Sequence, residues 1–297
     1  MDTPLQDYLA QVKQQVEAML DTLVPGENEP PVELHRAVRH SLFAGGKRLR
    51  PALVIAAAEA CGGDRRLAMP VACALEMVHT SSEMHDDLPC LDDADTRRGK
   101  PACHRLFGEA VALLAGDWLM TVPFQIVAQC GLRGDLSTEA TLGIIGEIGL
   151  ALGSAGMIAG QVVDLLQEGQ PADDQIVDYL YAHKTGALIT ASVRCGGLVA
   201  GGTAQQMEAL TEYGQALGRA FQIADDLLDV TATEEALGKP VGSDARHLKA
   251  TYVALHGLEA ARAEARRLAE GAQAALRPWC PHFPLIPLAE YAVTRTY

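Results

Sequence analysis

Apolar residues recur every three to four positions along almost the whole chain. Leu5, Leu9, Val12, Val16, Met19, Leu20 and Leu23 make one stripe, which predicts an amphipathic opening helix. Leu34, Val38 and Leu42 carry the period on to Gly45–Gly46. Pro51 suits the first turn of a third helix, which should end at Gly62–Gly63. A long helix is expected from about 66 to 87, with others near 108–130, 138–152, 154–168, 174–196, 204–230 and 248–276, and a short one at 284–294. Asp173 and Thr203 are suited to be N-caps. No run alternates apolar and polar residues between tight turns, so neither a β-rich nor a Rossmann arrangement is expected. The stretches 110–130 and 138–163 are apolar nearly all round and rich in Ala and Gly. They fit the buried centre of one large bundle, or a surface covered between subunits. No linker or fixed-period repeat divides the chain, so a single all-α domain over residues 1–297 is predicted.

Composition narrows the functions open to such a bundle. The chain is 48% hydrophobic, enough for a large core. Lys and Arg number 24 against 38 Asp and Glu, a net charge of −14, which is the wrong sign for a nucleic-acid or anionic-membrane surface. Aromatic residues are only 5%, too few for base-stacking platforms. The seven cysteines are irregularly spaced and form no CxxC, which fits free thiols in a reducing compartment. Cys90, Cys103 and His104 match no zinc-ligand spacing. The start, MDTPLQDYLAQVKQQ, lacks the basic region and apolar run of a signal peptide. No charge-free apolar stretch reaches membrane-spanning length. A soluble cytoplasmic protein without a membrane span is therefore expected.

Two aspartate clusters stand out against this background. The first is Asp86, Asp87 and Asp92 in DDLPCLD; the second is Asp225, Asp226 and Asp229 in DDLLD. Asp225 and Asp229 are one helical turn apart and share a face, where like charges repel. Their apolar neighbours point to a cleft. Pro89 should stop the helix that carries Asp86, so that Asp92 folds back toward Asp86 from a loop. Carboxylates are hard ligands. Mg²⁺ takes one or two of them and completes its octahedron with water and phosphate oxygens. Two acidic triads on two helices thus read as opposed jaws on a magnesium-bound polyphosphate; the alternative for either alone is a solvated acidic face.

Basic residues gather beside these clusters. Gly46, Lys47, Arg48 and Arg50 lead into a helix N-terminus, a favourable place for phosphate. Arg97, Arg98 and Lys100 follow the first cluster and Lys239 the second, while Lys184–Thr185–Gly186 interrupts an apolar helix. A charge run is usually a solvated face, and Arg48 and Lys100 are expected to lie on one. His79 by itself reads as a satisfied core histidine.

With GGKRLRP (45–51), HDDLPCLDDADTRRGKP (85–101), AGDWL (115–119), GQVVDL (160–165), HKTGALI (183–189), FQIADDLLDV (221–230) and LGKPVGSDARHLKATY (237–252) in this order, the sequence resembles the short-chain trans-prenyltransferases, the farnesyl/geranylgeranyl diphosphate synthase group. The resemblance implies a helical bundle around a deep central cavity, usually as a homodimer. It implies Mg²⁺ as cofactor, about three ions per site. Asp86 and Asp92 would be direct ligands with Asp87 in support, and Asp225 the main ligand on the second helix with Asp226 and Asp229 beside it. Arg97, Lys184 and Lys239 would bind an allylic diphosphate. Gly46, Lys47, Arg50, His79 and Arg98 would bind isopentenyl diphosphate without metal. Thr185 and Gln222 would offer oxygen dipoles to a carbocation.

The expected reaction is head-to-tail condensation of isopentenyl diphosphate with an allylic diphosphate (dimethylallyl, geranyl or farnesyl). Rival readings are a class I terpene cyclase and a non-catalytic subunit of a heteromeric synthase. Cyclases of that class mix Asn, Ser and Glu in the second metal motif and have no use for GGKRLRP; a non-catalytic subunit should lose one aspartate cluster. Val78, Ser81 and Ser82 share a helix face below Asp86, and Ser81 lies about 7.5 Å down the axis. In relatives that stop at C15 this position is often a large aromatic. Serine there favours the C20 product, geranylgeranyl diphosphate, over C15 farnesyl diphosphate.

Overall fold

A computed structural model describes residues 3–231, 249–280 and 284–294. Helices dominate, as the period predicts. They are α1 (Thr3–Leu23), α2 (Val32–Leu42), α3 (Leu49–Ala60), α4 (Arg65–Asp86), α5 (Cys103–Phe107), α6 (Glu109–Leu132), α7 (Thr138–Leu152), α8 (Met157–Gln167), α9 (Asp174–Leu180), α10 (Ala187–Val199), α11 (Ala204–Thr231), α12 (Tyr252–His256), α13 (Leu258–Leu276) and α14 (Leu285–Thr294). The side chain of Asp173 caps α9 by accepting from the Ile176 amide, and Thr203 accepts from the amide of Gln206 at the start of α11.

Three departures from the predicted pattern all concern the site. The helix expected over 174–196 contains one π turn, Tyr181–Gly186, between α9 and α10. The helix expected from 248 to 276 is broken at Gly257, whose φ of +80° no helical residue adopts. The only strands among the described residues are two-residue pieces, β1 (Thr96–Arg97) and β2 (Lys100–Pro101), paired antiparallel with Arg97 opposite Lys100. Their turn holds Arg98 at φ 53° and Gly99 at φ 74°. Positive φ at both central residues is what a two-residue hairpin demands.

Helix α10 sits at the middle, packed against α3, α4, α7 and α11. The two helices that carry aspartate clusters, α4 and α11, therefore flank a common neighbour. Most of α3 and α4 is buried, with Leu53, Ile55, Leu75 and Met77 at zero exposure. A smaller apolar cluster joins α9 and the π turn to α11 and α13 through Val177, Tyr181, Ile223 and Ala265.

Two stretches, Glu109–Leu132 and Thr138–Gln167, prove long and apolar enough to cross a membrane by length and composition. Both are packed into the bundle on one side, α6 against α4 and α7 against α10. Their other side leaves Leu114, Leu142, Leu150, Ile158, Val162 and Leu166 about half exposed or more. Among the described residues no disulfide forms, and Cys73, Cys103, Cys130 and Cys195 are buried thiols.

Candidate active site

The first cluster forms where α4 ends. Pro89 stops the helix and the chain turns back, so that the Asp92 amide donates to the Asp86 carbonyl at 2.9 Å. The return of Asp92 expected from the sequence is thus observed. Asp86 is half-buried and Asp92 exposed at the mouth. Burial, with the charge of Asp92 adding to it, pushes the Asp86 carboxyl up to about 6 against the pull of Lys184, Arg97 and Lys249. Asp87 takes a different path. It is 3% exposed and turned to Arg97, whose Nε donates to it at 3.0 and 3.2 Å while Nη2 makes a further short contact. Burial lifts Asp87 above the ordinary carboxylate range despite that pairing. Asp87 and Arg97, expected on metal and diphosphate respectively, are in this state each other's partners.

The hairpin sends two consecutive arginines to different places. Arg97 reaches Asp87, whereas Arg98 reaches the Gly45 carbonyl at 2.5 Å, Glu83 at 2.7 Å and the His79 ring at 3.5 Å. Gly46 makes room for it: a Cβ there would stand 2.7 Å from Arg98 Nη1. Lys47 lies 5.9 Å from the centre of the Tyr291 ring. Arg50, in the first turn of α3, faces the same space. Burial lowers its pKa, while Glu76, Glu83 and Asp225 hold it up. Asp225 on α11 is thus close enough for its charge to act on Arg50 of α3. Burial and then the charges of Arg50, Arg98, Arg97 and Arg48 hold the His79 imidazole well below its usual range, so it is neutral near pH 7.

Arg48 corrects the sequence reading. The left-handed backbone at this residue, φ 51°, takes its side chain into the core rather than onto a solvated face. There it donates to Glu76 at 2.7 Å and to the Leu42 carbonyl at 2.7 Å, with zero side-chain exposure. Lys100 is exposed, as expected.

On the opposite side the π turn presents Lys184 and Thr185. Lys184 donates to Asp164 of α8 at 2.7 Å. Gly160, one turn earlier on α8, allows this approach, since a Cβ would lie 2.3 Å from the Lys184 amide nitrogen. Lys249 completes the arrangement by reaching Asp164 at 3.1 Å and Asp92 at 3.3 Å. Burial works against its ammonium, but Asp164 and Asp92 raise its pKa overall. Burial likewise opposes the Asp164 carboxylate, yet the two lysines hold it below the ordinary value. Asp164 and Lys249 had no role assigned from sequence, although both fall inside the strings GQVVDL and LGKPVGSDARHLKATY.

Thr185 donates to Gln222 at 2.5 Å, and Gln222 Nε2 donates to Asp226 at 3.0 Å. Tyr181, which nothing in the sequence flagged, donates to the same carboxylate and accepts from the Tyr252 amide at 2.6 Å. Asp226 and Asp229 are each 3% exposed, so within DDLLD it is Asp225 that is more open to the cleft. Lys239 lies outside the described residues.

Hard carboxylates with several nearby cations suit Mg²⁺ and an anionic substrate together. Among the described residues no three His, Cys, Asp or Glu side chains converge closely enough to hold an ion alone. Val78 and Ser81 are fully buried and Ser82 half-buried; both hydroxyls donate to carbonyls of their own helix, at 2.7 Å to Val78 and 2.8 Å to His79.

An all-α bundle with two aspartate-rich helix segments beside a shared set of cations defines a class of enzyme acting on polyphosphate esters. The sequence matches the Polyprenyl synthetase family over residues 31–275. A dimethylallyltranstransferase from Fischerella ambigua (strain UTEX 1903) is 46% identical over 296 residues, covering 99% of this chain and 84% of the relative. The crystal structure of geranylgeranyl pyrophosphate synthetase from Pyrococcus horikoshii Ot3 matches with a TM-score of 0.87 and 32% identity, over 98% of this chain and 99% of that one. A geranyltransferase from Helicobacter pylori, solved with magnesium and isoprenyl diphosphate, matches with a TM-score of 0.82 and 30% identity, over 99% of this chain and 97% of that one. The chain belongs to the polyprenyl synthetase family and is a prenyltransferase.

Proposed function

We propose that the protein condenses isopentenyl diphosphate head-to-tail with an allylic diphosphate and releases a short all-trans prenyl diphosphate, chiefly the C20 compound. The observation that carries this reading is the placing of two cation groups around Asp86 and Asp92. One, Lys184 and Lys249 on Asp164, lies beside the carboxylates. The other, Arg50 and Arg98 with His79, lies along α3 and α4.

Asp86, Asp92 and Asp225 would hold Mg²⁺, which when bound neutralises charge on the departing diphosphate. Lys184 and Lys249 orient that diphosphate and stabilise the charge it gains as its C–O bond breaks. Arg50 and Arg98 hold the second diphosphate so that the isopentenyl double bond meets the allylic carbon. Thr185 and Gln222 turn oxygen dipoles toward the transient cation. The new C–C bond forms, and the proton shed next to it goes to the diphosphate just released. Apolar walls exclude water that would otherwise quench the cation.

The apolar outer sides of α6, α7 and α8 support a homodimer in which they are covered. Buried thiols suit the reducing cytoplasm, where we place the protein. The test is incubation of the purified protein with isopentenyl diphosphate and each allylic primer, with and without Mg²⁺, and chromatographic sizing of products. Prenyl diphosphates are expected with Mg²⁺ and none after EDTA. Full turnover in EDTA overturns the metal assignment, and absence of any condensation product overturns the function.

A further inference from the structure

Among the described residues, one acid of the cationic pocket between α3 and α4 touches Arg98 directly. Glu83 stands one helical turn after His79, and its two carboxylate oxygens face the pocket. One accepts from Arg98 at 2.7 Å, and the other lies 3.7 Å from the His79 ring. Its side chain is only 20% exposed and that of Arg98 18%, so the pair is poorly screened by water. Arg50 feels the same carboxylate. Yet Arg50 itself has no hydrogen-bond acceptor or ion-pair partner among the described residues, and its buried Nε is unsatisfied. An unpartnered guanidinium beside a partnered one is the state of an anion site before its anion arrives.

We propose that Glu83 is an internal counter-ion of this pocket, which the incoming diphosphate must displace from Arg98. This rests on the reading of the pocket as the metal-free diphosphate site. Without Glu83, the neighbouring guanidinium groups of Arg50 and Arg98 repel each other more strongly in the empty enzyme. With it, one of those cations is already neutralised, and the substrate's diphosphate meets a carboxylate of its own sign. Glu83 therefore specifies the affinity for the substrate that binds without metal. It holds Arg98 aimed across the pocket, and it keeps binding weak enough for the site to exchange.

Because a carboxylate and a diphosphate compete for Arg98 at close range in a half-buried pocket, removing the charge while keeping the acceptor should tighten binding by about ten-fold. The probe is inorganic pyrophosphate titrated calorimetrically in EDTA, which leaves the metal-dependent site unsupported. Glu83→Gln is expected to bind it roughly ten-fold tighter than wild type, and to lower KM for isopentenyl diphosphate more than KM for the allylic substrate. Should the Gln protein not fold, Glu83→Asn, which also removes the charge and keeps an amide oxygen, answers the same question. Arg50→Ala identifies the source of the heat. If Arg50→Ala leaves pyrophosphate binding intact, the pocket is not the diphosphate site and the underlying reading falls. If Arg50→Ala abolishes binding while the Glu83 variants bind no tighter than wild type, the site stands and the counter-ion proposal alone is overturned.

Discussion

At the scale of single residues, Asp86 and Asp225 separate from their neighbours. Asp87 is committed to Arg97 and Asp226 to Tyr181 and Gln222, whereas Asp86 and Asp225 remain half-open to the cleft. Removing either should take away stabilisation of leaving-group charge. One lost contact of that kind costs about 10²–10³ in rate, so Asp86→Ala and Asp225→Ala are each expected to lower kcat by at least that much with an unchanged circular dichroism spectrum. A near-normal kcat in either would remove it from the metal site. His79 carries a pH prediction. In the unfolded chain its imidazole takes up a proton as pH falls through about 6.5, but in the folded pocket it stays neutral to well below that. The folded state thus binds fewer protons in this window. Stability from this group is complete above pH 6.5 and declines as pH falls toward the folded value, by no more than about 1.4 kcal/mol per pH unit. Urea midpoints measured from pH 7.5 down to 5 should fall less steeply in His79→Gln than in wild type; parallel slopes would show that His79 is not held neutral.

At the scale of elements, α4 carries both Asp86 at its end and, lower down, the position proposed to set product size. Ser81 lies on it below Asp86, fully buried, with its hydroxyl satisfied by Val78 of the same helix. It therefore offers little bulk to a growing chain. Ser81→Tyr would put a ring into that space at an overpacking cost of about 1–3 kcal/mol, and the main product should shorten by an isoprene unit. An unchanged product distribution, or a wild type that already stops at C15, would show that Ser81 is not the gauge. The same helix shows what a sequence makes legible. Its span, its stop at Pro89 and the return of Asp92 follow from period and proline chemistry, and the structure has all three. The π turn is less legible. One extra residue in a helix leaves the apolar period of 174–199 nearly intact, so only the polar interruption Lys184–Thr185–Gly186 marks it. The hairpin at 96–101 has strands too short for any period, and Arg98 in a left-handed position is not a residue that signals a turn. The sequence alone puts Arg48 on a solvated face, because its burial depends on Glu76, distant in sequence, supplying the partner charge. Asp164 and Lys249 are a similar case: each is an ordinary charged residue until the fold brings α8, the π turn and the segment before α12 together.

At the scale of the molecule, the site and the apolar outer surface meet on α8. Gly160 and Asp164 occupy one face of that helix and contact the π turn, where Asp164 holds Lys184 and Lys249. Ile158, Val162, Leu165 and Leu166 occupy the other face and are 47–69% exposed. On α7, Leu142 and Leu150 are 64% and 59% exposed and lie two turns apart on one side. A monomer seldom leaves so continuous an apolar surface to water. Its residues belong to successive helices that pack on one another, so a second copy related by a two-fold axis can cover the whole patch. Wild type is therefore expected to sediment at twice the 31.6 kDa of the chain. Leu142→Lys combined with Leu166→Lys places charges on this exposed apolar surface and should shift sedimentation equilibrium toward the monomer without altering the site's own residues. Because α8 would then lose its backing on the side opposite Asp164, kcat/KM should fall along with the dimer fraction on dilution. A wild type that sediments as a monomer, or a monomeric variant with undiminished kcat/KM, would mean that α8 holds Asp164 in place without a partner.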